Sequence, residues 1–246
     1  MAALGLQNLY SSIVKGDLSK ARLILDTWVE SVDDQTDLNG GTPLMFASEK
    51  GHLHIVRELV FRGADVNKTD WDSWTALIYA AKEGHPDVVQ ELLDRGAHLE
   101  TRDMGGWTAL VWASYKGNVE VVKILLNKGA NSNIKGEHHM SSLLWASGRG
   151  HWEIVKLLLV KGAKSTSADK YGTTALRVGL QEGIQEVRAS LAAVWSERGY
   201  SRDEFVDPSD RCHEGKLREC SQASAGVLTQ RKRRRQGWSH CPVHHC

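Results

Sequence analysis

The sequence predicts an all-α solenoid built from 33-residue units, and three observations carry that reading. Thr42, Thr75, Thr108, Ser141 and Thr174 stand 33 apart, as do Leu44, Leu77, Leu110, Leu143 and Leu176, and as do Gly51, Gly84, Gly117, Gly150 and Gly183. After each corner glycine runs an apolar pattern at helical spacing: Ile55-Val56-x-x-Leu59-Val60, Val88-Val89-x-x-Leu92-Leu93, Val121-Val122-x-x-Leu125-Leu126 and Ile154-Val155-x-x-Leu158-Leu159. Gly63-Ala64, Gly96-Ala97, Gly129-Ala130 and Gly162-Ala163 close the units. One unit cannot bury such a face alone, whereas several in a row make a continuous core.

Residues 1–36 read as an N-terminal capping helix pair. Leu4, Leu6, Leu9, Ile13 and Val14 line the first helix, Lys15-Gly16-Asp17 turns the chain, and Leu18, Ala21, Leu23, Ile24, Leu25 and Trp28 line the second. The pair lacks the Thr-led helix start, as a terminal repeat is expected to.

Residues 37–172 hold four regular repeats. Thr or Ser before the apolar turn is placed to cap the first helix, and Pro43 at its first position gives up an amide that would be unpaired anyway. The corner glycines let the chain turn between antiparallel helices, and the glycine before Ala ends the second helix in a left-handed conformation. Each fully buried Leu, Ile or Val contributes about 1.5–3 kcal/mol, so the apolar spine is expected to dominate stability.

Residues 173–198 read as a degenerate fifth repeat or cap. Asp169-Lys-Tyr-Gly-Thr-Thr-Ala-Leu176 begins well, but Arg177, Val178 and Gly179 then replace an apolar residue, an aromatic and Ala. Arg188 falls on a spine position, and Trp195-Ser196 replaces Gly-Ala. From 199 to 246 periodicity is lost, which predicts a disordered, basic tail containing Cys and His.

The chain has 246 residues, 41% hydrophobic and 25% charged, with a net charge of +1, so no bulk attraction to nucleic acid or membrane is expected. All four cysteines, Cys212, Cys220, Cys241 and Cys246, lie in the tail. No disulfide staples the repeats, which fits a reducing cytoplasmic compartment. The N-terminus lacks the features of a signal peptide, and no uncharged apolar run approaches ~18 residues, so no membrane span is expected in this chain.

Phosphate-loop, nucleophile-elbow and His-Glu-x-x-His motifs are absent, so no catalytic residue and no cofactor are expected. His52, His85 and His151 recur at the corner, which favours a structural hydrogen bond over catalysis. His138-His139 has no ligand-spaced partner, and the tail's Cys and His fit no standard zinc spacing, so no metal is expected.

The Thr42-Pro43-Leu44 helix start, the Gly-His corners and the Gly-Ala closures resemble ankyrin repeats. The resemblance implies short β-hairpin fingers between helix pairs, and a concave face made of finger tips and first helices that binds another protein or peptide. In this register the partner-binding candidates are Trp71, Asp72, Trp74, Met104, Trp107, Tyr115, Lys116, Glu137, His138, Met140, Arg149 and Tyr171.

Phe46, Tyr79, Trp112 and Trp145 form an aromatic column in four successive first helices. Such rings offer large, rigid contact area, so one reading is a groove that grips a peptide. The other is that the column packs between repeats and the finger tryptophans cover the necks of their fingers.

Arg102-Asp-Met-Gly-Gly-Trp-Thr-Ala-Leu110, Lys82-Glu-Gly-His85, Trp145-Ala-x-Gly-Arg-Gly-His151 and Asp169-Lys-Tyr-Gly-Thr-Thr174 resemble the N-terminal repeats of the ankyrin-repeat-rich membrane-spanning scaffold family, also called kinase D-interacting substrate. That resemblance covers about residues 37–176 and implies a scaffold for signalling receptors of neurotrophin type. The family's NTPase-like module and membrane spans have no counterpart here, and the pattern breaks at Arg177. The expectation is a truncated isoform, or a gene model read through a splice or frame change.

The function expected is therefore a non-enzymatic, cytoplasmic scaffold in signal transduction, held at membranes only through partners. The alternative is a nuclear or nucleic-acid-associated regulator targeted by Arg231, Lys232, Arg233, Arg234 and Arg235, a block suited to nuclear import or to an acidic surface.

Overall fold

The computed structural model describes residues 2–27, 31–33, 39–175 and 177–178. Trp28, Leu38, most of the expected degenerate repeat and the whole of 199–246, the Arg231–Arg235 block included, lie outside the described residues. Among the described residues ten α-helices follow in antiparallel pairs: α1 (Ala2–Val14) with α2 (Leu18–Asp26), α3 (Pro43–Glu49) with α4 (Leu53–Phe61), α5 (Ala76–Glu83) with α6 (Pro86–Asp94), α7 (Ala109–Lys116) with α8 (Val119–Asn127), and α9 (Ser142–Gly148) with α10 (Trp152–Val160). The first helices α1, α3, α5, α7 and α9 pack in one row, and the second helices α2, α4, α6, α8 and α10 in another.

The 33-residue register becomes the core. Leu44, Leu77, Leu110 and Leu143 are buried in the first row, and Ile55-Val56, Val88-Val89, Val121-Val122 and Ile154-Val155 in the second. Ala47, Ala80, Ala113 and Ala146, one per first helix from α3 to α9, are fully buried. The hydroxyl oxygens of Thr42, Thr75 and Ser141 accept the amides of Met45, Ile78 and Leu144 at 3.4, 3.3 and 3.4 Å. Thr108 occupies the same extended cap position without that bond, a departure from the capping expected of it.

The corners couple neighbouring repeats. Gly117 ends α7 at φ 87°, and a Cβ there would lie 2.6 Å from the His151 ring of the next repeat. The same ring approaches the end of α7, with Nε2 3.3 Å from the Tyr115 carbonyl, and His85 Nε2 lies 2.9 Å from the Glu49 carbonyl. At the third corner Asn118 takes the place of histidine, and its amide donates to the Ala81 and Lys82 carbonyls at 2.9 Å each. Carbonyls that the end of a helix leaves unpaired are thus met by a side chain from the following unit. The structural role expected of the corner histidines holds for His85 and His151, whereas His52 Nε2 is buried without a hydrogen-bond partner.

The expected β-hairpin fingers are reduced to loops. Among the described residues the only β pairing is two isolated antiparallel bridges, Lys135 with Ser141 and Ala168 with Thr174. Aspartate carboxylates take part of the backbone donors of three of these loops, as aspartates in turns commonly do.

Candidate functional site

Asp103 opens its finger. Its amide donates to the Trp107 carbonyl at 3.0 Å, its Oδ1 accepts the Trp107 amide at 2.8 Å, and its Oδ2 accepts Trp112 Nε1 at 2.8 Å. Asp70 does the same one unit earlier, accepting the amides of Asp72 and Trp74 at 3.0 and 2.7 Å and the Tyr79 hydroxyl at 2.8 Å. Both are buried. A single carboxylate therefore folds the finger and ties it to the first helix nine residues on.

Asp169 repeats the finger half of this arrangement, accepting the amides of Tyr171 and Thr173 at 2.8 Å each. The finger tips are linked in turn by backbone bonds: Trp71 to Asn39 at 3.0 Å, Met104 to Asp72 at 3.1 Å, Glu137 to Gly105 at 2.8 Å and Lys170 to His138 at 2.9 Å.

The fourth finger departs from this plan because Gly136 stands where Asp70, Asp103 and Asp169 stand in the others. Without the carboxylate, Trp145 Nε1 is buried with no acceptor. The tip runs through a short 3-10 turn, Glu137–His139, in which His138 and His139 have φ of 57° and 61°. A larger residue would not restore the clamp, since a Cβ at Gly136 would lie 2.5 Å from the Trp107 ring.

Tyr79, Trp112 and Trp145 of the aromatic column form one stack with Trp74 and Trp107 of the fingers. Trp74 lies 4.9 Å from Tyr79 and 4.8 Å from Trp112, and Trp107 lies 4.6 Å from Trp112 and 4.9 Å from Trp145, centroid to centroid. Tyr115 closes the end, edge-on to Trp145 at 5.0 Å. Such tilted and edge contacts contribute about 0.5–1.5 kcal/mol per pair beyond burial.

All of these rings are half-buried, so both readings of them meet in the same residues: each packs on one side and faces solvent on the other. Phe46 stands apart, half-buried and edge-on to Tyr10 at 4.7 Å.

Cations lie over this surface. Lys82 Nζ is 5.0 Å from the Trp74 ring and 5.9 Å from Trp112, and Arg149 lies 4.3 Å over Tyr115 while donating to its hydroxyl. The remaining candidates are spread along the same edge: Trp71, Met104 and Tyr171 are exposed at 61%, 75% and 77%, Asp72, Lys116, Glu137 and His138 are exposed, and Met140 is half-buried.

Sequence reasoning passed over the roles of Asp70, Asp103 and Asp169. The aspartates repeat at 33 or a multiple of it, a signal that was present but is shared with ordinary turn residues. Among the described residues no group of His, Cys, Asp or Glu is placed to hold a metal, and no helix is long and apolar enough to cross a membrane.

Residues 9–103 and 69–136 match the family described as Ankyrin repeats (3 copies), and residues 138–170 match that described as Ankyrin repeat. Over 53 residues the chain is 45% identical to Ankyrin repeat domain-containing protein 29 of Danio rerio, a stretch that covers 22% of this chain and 17% of that protein.

Proposed function

From the premise that the chain belongs to the ankyrin-repeat family, whose repeats generally mediate protein–protein interaction, we propose that the finger and first-helix face binds a signalling protein. The observation that carries this reading is the half-exposed aromatic stack from Tyr79 to Trp145, flanked by the exposed Trp71, Met104 and Tyr171. Rigid rings with one face in solvent offer contact area at little cost in side-chain entropy. Nothing in the family matches points to catalysis.

The finer role is that of a cytoplasmic scaffold for receptor signalling. It draws its support from the string Arg102-Asp-Met-Gly-Gly-Trp and the related words in neighbouring repeats, and from the placement of every cysteine beyond the repeats.

Affinity capture of the full chain tests the proposal, comparing it with a Trp71→Ala, Met104→Ala, Tyr171→Ala variant of unchanged melting temperature. Loss of a reproducible set of captured proteins, receptor cytoplasmic segments among them, is the expected result. An identical set with both proteins removes this face from partner binding.

A further inference from the structure

The second-helix row carries an open pocket of about 400 Å³ that spans three helix pairs. Its cations are Arg22 from α2, Arg57 from α4 and Arg95 just beyond α6, with the His54 ring beside them and one carboxylate, Glu58, set against them. Phe61, 83% exposed, supplies an aromatic wall.

The arginines are held in place from behind. Glu58 accepts Arg22 Nε at 2.8 Å and Arg62 Nε at 2.8 Å, and Glu91 accepts Arg57 Nε at 2.7 Å and Arg95 Nε at 3.0 Å. Both carboxylates are largely covered, with side chains 10% and 12% exposed, while the three pocket guanidiniums are about half in solvent at 57%, 54% and 47%. Each guanidinium spends its Nε on the glutamate. Among the described residues the terminal nitrogens of Arg22, Arg57 and Arg95 donate no hydrogen bond.

We propose that this pocket binds a phosphorylated side chain of a partner protein, phosphotyrosine in preference to phosphoserine. Guanidinium groups fixed in orientation meet a phosphate dianion with paired, charge-assisted hydrogen bonds, which is how arginine clusters read phosphorylated segments. Phe61 beside them gives a phenyl ring a surface to stack on and leaves the short phosphoserine side chain without one. A flat anionic membrane fits less well. The arginines line a concavity, and Phe61 is a single exposed ring.

Calorimetric titration of the full chain with three peptides of one sequence, bearing phosphotyrosine, phosphoserine or tyrosine, tests the assignment. Saturable binding of the phosphotyrosine form is expected, about tenfold or more tighter than the tyrosine form.

The double variant Arg22→Gln, Arg57→Gln leaves Glu58 with Arg62 and Glu91 with Arg95, so the protein stays folded while affinity falls about tenfold or more. Phe61→Ala lowers affinity for the phosphotyrosine peptide alone. Lys123→Gln, in the register of Arg57 but two repeats on, leaves it unchanged. Equal affinity for all three peptides, binding unaffected by the double variant, or capture by anionic vesicles in place of the peptide overturns the proposal.

Discussion

Trp112 and Asp103 are joined by an indole-to-carboxylate hydrogen bond of 2.8 Å, while Trp145, one unit later, has no such partner because position 136 is glycine. The same carboxylate holds the Trp107 amide, so it fixes the finger and the helix aromatic together.

Asp103→Ala removes both bonds and leaves two donors unmet. A loss of about 2–4 kcal/mol is expected on the scale of charge-assisted bonds and stranded buried donors. Thermal unfolding checks it, with Asp103→Asn retaining part of the stability.

Gly136→Asp supplies the missing carboxylate but meets the Trp107 ring, so the single substitution is expected to destabilise the protein despite its new acceptor. In a Trp107→Leu background the clash eases, and the two changes together cost less than their sum by about 1 kcal/mol or more. A double-mutant cycle in denaturant reads the coupling; strict additivity would show that the ring is not what excludes a side chain at 136.

Trp107→Ala costs about 2–4 kcal/mol because the ring touches Trp112, Trp145 and Tyr115. Met104→Ala, at a tip exposed at 75%, changes stability by about 0.5 kcal/mol at most. Melting temperatures of the two variants separate an architectural ring from a contact residue.

Ser114 Oγ is fully buried without a hydrogen-bond partner, and the preceding repeat has Ala81 in the same register, also fully buried. Ser114→Ala therefore removes an unmet polar group and leaves a side chain already tolerated there. A gain of about 1 kcal/mol is expected, seen as a melting temperature raised by about 2–4 °C.

Acid sensitivity follows from the second-helix row. Hydrogen bonds from Arg62 and Arg22 hold the Glu58 carboxyl below its ordinary value, and hydrogen bonds from Arg57 and Arg95 do the same for Glu91. A depressed carboxyl pKa stabilises the fold above the unfolded-state value and loses that contribution as pH falls through the folded-state one. Stability is thus expected to drop as pH falls below the ordinary carboxylate range near 4.5, and to drop less steeply in Glu58→Gln, which is weaker at pH 7 by about 1 kcal/mol. Urea unfolding at stepped pH measures both.

The repeat register, the spine and the corner were legible because each is a local spacing: Leu44 to Leu143 and Ile55 to Val155 lie in the core the sequence assigns them. The aromatic stack was half legible. Its members stood out by residue type, but that Trp107 wedges between Trp112 and Trp145 depends on how one unit leans on the next. Asp103 escaped notice because an aspartate in a turn is common, and only its reach to Trp112 nine residues on gives it a second task.

The imidazole of His151 shelters the bend of the unit before it, as Asn118 and His85 do for theirs. Each of these three modules thus borrows its lid from its downstream neighbour, which gives the described array a direction. Stripping modules from the C-terminal side uncovers one bend after another, whereas trimming from the front leaves each remaining lid in place. Paired truncations from opposite ends should reveal that asymmetry as unequal losses of cooperativity.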